Sequence, residues 1–149
     1  MNFVPTRDSK IAESEQPSRD LPEVVECCNR FGFDLYSRLG ADSGNLFFSP
    51  ASISMALAMT YAGASGTTAE EMAHVLHVKL PDNRFHRGFF DLRNAAKTGR
   101  VELRLANRLC GQSGYHFLPD FLETTERYYG AALAEVLIHF IGRVVDPVC

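Results

Sequence analysis

The chain has no tryptophan, no Asn-x-Ser/Thr acceptor and no apolar run long enough to cross a membrane. Without the acceptor, N-glycosylation offers no sign of secretion. Met1 is followed by Asn2, Phe3, Val4, Pro5 and Thr6 and then by charges, so no apolar segment of a secretory signal opens the sequence. The compartment therefore stays open. A basic excess is also missing: 15 Lys and Arg against 18 Asp and Glu give a net charge of −3. Nucleic-acid binders carry the opposite balance, so neither nucleic acid nor membrane is expected as a partner. Cysteine is sparse. Cys27 and Cys28 are adjacent, while Cys110 and Cys149 lie far away, which fits neither zinc nor thioredoxin spacing. Thiols are expected: Cys28 on a helix face, Cys110 in a strand and Cys149 at the chain end.

Catalytic patterns are lacking too. Gly63-Ala64-Ser65-Gly66 and Gly111-Gln112-Ser113-Gly114 fall short of the five-residue elbow G-x-S-x-G and read as turns. Glu71, His74 and His77, spaced by threes, resemble half of a carboxylate-bridged metal centre. The other half would need a second helix, and His86, His116 and His139 are scattered without an E-x-x-H partner. His74 and His77 are expected to be surface imidazoles on a short helix. The reading is of a protein that is not an enzyme and uses no cofactor.

What is present is a globular composition, 46% hydrophobic and 22% charged, with eleven phenylalanines. Its centre is Asn45 to Gly63, NLFFSPASISMALAMTYAG. Leu46-Phe47-Phe48 reads as a strand entering a core. Ser49 fits a helix N-cap, and Pro50 fits the first helical position, where its missing N–H costs nothing. Ile53, Met55, Ala56, Leu57, Ala58, Met59 and Tyr61 place apolar groups all round this helix, the mark of burial on every side.

Around it, residues 1–20 are polar, contain Pro5 and Pro17, and read as a mobile leader. Leu21 to Leu39 repeats Val24, Val25, Cys28, Phe31, Leu35, Tyr36 and Leu39 at three- and four-residue steps, and Glu26, Arg30, Asp34 and Arg38 alternate in sign on another face. Gly66 to Val78 should be helical, opened by a Thr67–Glu70 capping box, with Met72, Val75 and Leu76 inward. Arg84 to Lys97 is a further helix carrying Phe85, Phe89, Phe90 and Leu92, weakened by Gly88. Val101 to Cys110 changes to period two, as a strand with one buried face does. Pro119 and Gly130 bracket another helix, and Ala131 to Val136 follows as a strand.

The run NLFFSPASISMALAMTYAGASGTTAEEMAHVL closely resembles the strand, buried helix and next helix in the N-terminal part of serpins. EVVECCNRFGFDLYSRL is similar to the family's first helix. VELRLANRLCGQSGYHFLPDFLETTERYYGAALAEV resembles the stretch from the second strand of the large central sheet, through a helix, to its first strand. After Val136 the pattern jumps: HFIGRVVDP looks like the last strand of a serpin. The resemblance implies an α+β serpin-like fragment, with helices around a buried helix and an incomplete sheet. It divides into a leader (1–20), an N-terminal region (21–136) and a C-terminal-strand segment (137–149), whose strand would lie beside Leu46–Phe48. It implies a serine protease as the family's partner and an often extracellular setting. Serpins offer an exposed loop as bait, trap the protease as an acyl-enzyme and insert the cut loop into the sheet. No bait loop or inner receiving strand follows Val136, so the chain is expected not to inhibit on its own. Asn45, Ser49, Pro50, Ser52 and Ser54 match the family's N-terminal core and are implied as supporting residues. Unpaired strand edges predict marginal stability and self-association.

Arg84, Arg87, Arg93, Lys97, Arg100 and Arg104 gather in one region, partly offset by Asp82, Asp91 and Glu102. In some serpins the equivalent helix binds sulfated polysaccharide. Arg93, Lys97 and Arg100 share a helical face that suits a linear polyanion; an ordinary solvated face is the competing reading.

Overall fold

A computed structural model describes residues 19–40, 44–97 and 107–136. The leader up to residue 18, most of the expected 101–110 strand, Arg100, Arg104 and the 137–149 segment lie outside these residues. Helix α1 spans Leu21–Leu39, as its periodicity predicts, and buries Val24, Cys27, Cys28 and Phe31. Helix α4 spans Asp82–Lys97 and buries Phe85 and Phe89, whose rings meet edge to face with centroids 5.2 Å apart. The two helices touch at Gly88, where an added Cβ would run into the Val24 side chain. The glycine that weakens α4 as an isolated helix is the condition for its approach to α1. Asp20, immediately before α1, is buried and paired with Arg84 on α4, Nε to Oδ2 at 3.0 Å, with a second contact from Nη2 to Oδ1. The hydrogen-bonded guanidinium lowers the Asp20 carboxyl pKa. Thus Asp20, placed in the mobile leader by composition, is an anchor of the fold.

Helix α2 spans Pro50–Tyr61. The Ser49 hydroxyl accepts from the Ser52 backbone N–H at 3.3 Å and lies 3.0 Å from the Ser52 hydroxyl, and Pro50 occupies the first turn as expected. On α1, Gly32 lets Pro50 approach so closely that a Cβ there would come within 2.7 Å of the Pro50 Cβ. Met55, Ala58, Met59 and Tyr61 are buried, but Ser52, Ala56 and Thr60 face outward. Burial on every side is therefore not observed among the described residues. Helices α1, α3 and α5 contact α2 on one side, and full cover would need another layer.

Leu46-Phe47-Phe48 is not a strand here, and Leu46 and Phe47 are exposed. A strand is defined by its pairing, and among the described residues the one ladder lies elsewhere. Helix α3, Gly66–Val75, is shorter than its pattern predicts. It starts at Gly66 with Ser65 as N-cap, which moves Thr67 and Glu70 off the capping-box positions. His77, at φ 55°, ends the turn that follows it. Leu76 is buried and Met72 half-buried as expected, whereas Val75 is exposed because the helix turns it outward.

Strand β1 (Leu109–Gln112) pairs in parallel with β2 (Leu133–Val136), Leu109 opposite Leu133 and Gln112 opposite Val136. Parallel neighbours need a crossover, supplied by α5, Pro119–Tyr129, with Gly130 closing it at φ 64°. Asn107 and Arg108 precede β1 rather than belonging to it. The architecture is α+β: a helical layer centred on α1, α2 and α4, with a small parallel sheet joined through α5.

Replacing Gly88 with Ala should lower the urea midpoint. An added methyl in tight packing costs about 1–3 kcal/mol, outweighing the gain of up to about 1 kcal/mol in helix propensity. An unchanged or raised midpoint would contradict the close contact.

Candidate functional site

The α4 cations are placed differently from what their spacing suggests. Arg84 turns to Asp20, and Arg87 lies 3.9 Å from Asp91. Arg93 packs its guanidinium 5.8 Å from the Phe90 ring centroid and against Gly130 at the end of α5. Burial pushes its pKa down, and its buried Nε has no hydrogen-bond partner. Lys97 is exposed in the last turn. Arg93 and Lys97 thus share α4, the first half-buried and the second in water. Gly130 also borders a groove of about 470 Å³ lined by Asn107, Arg108, Ala132, Leu133 and Ala134. The sequence pattern assigned Asn107 and Arg108 to the two faces of one strand, which hid their place beside the end of α5.

His86 lies between Phe85 and Arg87 on α4 and is buried. Its Nδ1 is 2.6 Å from the Tyr129 hydroxyl, and the rings of Tyr61, Phe85 and Tyr128 surround it. Burial pulls its pKa down to about 4, so the imidazole is neutral at pH 7. A neutral Nδ1 can accept from the Tyr129 hydroxyl. Beside it the Tyr61 hydroxyl donates to Asp82 at 2.7 Å, and burial together with this carboxylate pushes the phenol up to about 12. The cluster ties α2, α4 and α5 together. One clue to it is legible in the residue order: His86 adjoins Phe85 and sits three residues before Phe89, on the apolar side of α4.

The remaining candidates are dispersed. Asn45, Ser49 and Ser52 are exposed, Pro50 is half-buried against α1, and Ser54 is buried. Ser49 and Ser52 hold the start of α2. Ser54 places its buried hydroxyl beside the Cys28 thiol, whose pKa burial pushes up to about 11. Glu71 and His74 are exposed, while His77 Nε2 contacts the Asp34 carboxylate at 2.7 Å. No group of three metal-ligating side chains occurs among the described residues.

Helix on helix around α2, with a β–α–β crossover at its edge, is the arrangement the resemblance implies. The family model "Serpin (serine protease inhibitor)" matches residues 26–139. The chain belongs to the serpin family. It is 40% identical over 131 residues to a leukocyte elastase inhibitor of Xenopus tropicalis, covering 85% of this chain and 34% of that protein. It is 42% identical over 120 residues to human Serpin B8, covering 78% and 32%. This serpin chain spans about a third of the length of these curated relatives. Among solved structures, cleaved kallistatin complexed with heparin superposes with a TM-score of 0.71 at 27% identity, covering 78% of this chain and 36% of that one. Cleaved lamprey angiotensinogen gives 0.67 at 28% identity, covering 78% and 35%.

The His86 cluster predicts acid sensitivity. With the folded pKa near 4, below the ordinary 6.5, the unfolded chain takes up the proton first as pH falls. Stability is full above about pH 6.5 and is lost progressively toward about pH 4, by about 3 kcal/mol in all. His86→Phe should flatten this part of the curve in urea melts at pH 7.5, 6 and 5. A variant with the same pH slope as the parent would refute it.

Proposed function

We propose that this chain is a serpin-family polypeptide that does not inhibit proteases on its own. The carrying observation is the passage from the first-strand segment ending at Val136 directly into HFIGRVVDP, with no segment resembling a bait loop between them. Inhibition by loop insertion needs both a bait bond and a sheet able to receive the cut strand. The parallel pair β1–β2, with its register closed from Leu109 to Val136, is consistent with a scaffold edge rather than a receiving site. Asn45, Ser49, Pro50, Ser52 and Ser54 would then support the start of α2. On mixing with elastase-, chymotrypsin- and trypsin-like proteases, the chain should be cleaved or ignored. No covalent complex should survive boiling in detergent; a stable ester-linked adduct would disprove the reading.

A second reading is favoured by one placement: the half-buried Arg93 guanidinium beside Gly130, with no carboxylate hydrogen-bonded to its Nε. With Lys97 on the same helix and Arg108 on the groove past Gly130, it offers positive charge to a linear polyanion. Arg100, the third residue of the expected polyanion face, lies outside the described residues. The kallistatin neighbour was crystallised with heparin, which suggests the probe. Retention on heparin resin should weaken with salt and drop further in Lys97→Ala with Arg108→Ala, both exposed side chains. Retention unaffected by these substitutions, or none at low salt, would remove this reading.

A further inference from the structure

We propose that the flank of α1 formed by its last two turns, together with Leu46-Phe47-Phe48, is the contact surface for a second copy of this chain. The inference rests on the reading of a serpin fragment without the rest of the serpin body. On α1, Phe33 is 74% exposed, Tyr36 59% and Leu39 43%, whereas Val24, Cys28 and Phe31, nearer its start, are buried, so Tyr36 and Leu39 prolong the apolar stripe beyond the part that is covered. Leu46 is 42% and Phe47 98% exposed. The path of the chain draws these two sets toward each other. The chain leaves α1 at Gly40 and returns to Pro50, which packs on Gly32. Leu46–Phe48 must therefore run back beside the turns that carry Phe33, Tyr36 and Leu39.

The area argues for a like partner. At about 200 Å² for a whole aromatic side chain and somewhat less for leucine, the five residues expose on the order of 600 Å². Isolated exposed apolar residues are ordinary, but a joined patch of this size marks an interaction site. Two such patches facing each other would cover roughly 1,200 Å², the lower limit for a specific complex. A two-fold contact brings the same patch from both copies together. The extended Leu46–Phe48 segment can lie antiparallel to itself about Phe47. Asp34 and Arg38 on the same helix carry both signs, so two like copies do not meet as one-sign surfaces.

The test is sedimentation velocity on the full chain from about 1 to about 100 micromolar, the range suited to an interface of this size. Wild type should shift from monomer to dimer with concentration. Phe47→Asp removes no core contact and should weaken the dimer at least tenfold, and Phe33→Asp should do the same. Circular dichroism must match wild type for either variant to count. A monomer throughout, as when the chain's own 139–147 segment or another partner takes the surface, would overturn the proposal. Self-association that both substitutions leave intact would also overturn it, pointing to the strand edges instead. Neither result bears on the protease assay, so failure here and failure of the non-inhibitory reading are separable.

Discussion

The structure depends on covering α2. Pro50–Tyr61 carries almost no polar face, so it cannot rest on a surface as an ordinary amphipathic helix does. Helix α1 covers it where Gly32 admits Pro50, and α3 and α5 close part of the rest. Helix α4 reaches α2 at Tyr61, through Asp82, Phe85 and His86, and braces α1 through the Gly88–Val24 contact and the Asp20–Arg84 pair. Removing one methyl-sized space at Gly88 would therefore act on α2 indirectly, by shifting the helix that covers it.

The polar groups inside this assembly follow the same logic. His86, Tyr129 and Tyr61 are buried near where α2, α4 and α5 meet, Asp82 sits exposed at their edge, and each makes a hydrogen bond within the group. Such a network fixes how the helices meet, because each member depends on its partners remaining in place. It resembles an acid–base cluster in composition, yet its imidazole is locked against a phenol and surrounded by rings. Its role is in holding helices together.

Much of this was legible in the residues. Helix α1 was readable to its ends, because its apolar and charged faces repeat together from Leu21 to Leu39. Pro119 and Gly130 bracketed α5 for the same local reason, first-turn proline and left-handed glycine. What escaped was set by distant partners. Leu46–Phe48 has strand composition but no ladder among the described residues, and Thr67–Glu70 has capping-box spacing but starts two residues past the observed N-cap, Ser65. Of the basic residues, Arg84 found Asp20 from 64 positions away, and Arg93 packs half-buried against Gly130, so the face drawn from helical spacing overstated the exposure of Arg93. The supporting serines were readable at Ser49, whose cap is local, whereas the burial of Ser54 beside Cys28 depends on α1.

The account's central claim is that these helices form a stable cover for α2 without the rest of a serpin. Hydrogen exchange of the full chain, followed by mass spectrometry at pH 7.5, tests it most directly. Amides from Ser54 to Tyr61 and from Phe85 to Asp91 should exchange at least a hundredfold more slowly than unstructured chain, a modest protection for core helices. If α2 amides instead exchange at the rate of an unstructured peptide, the cover does not form and the account fails.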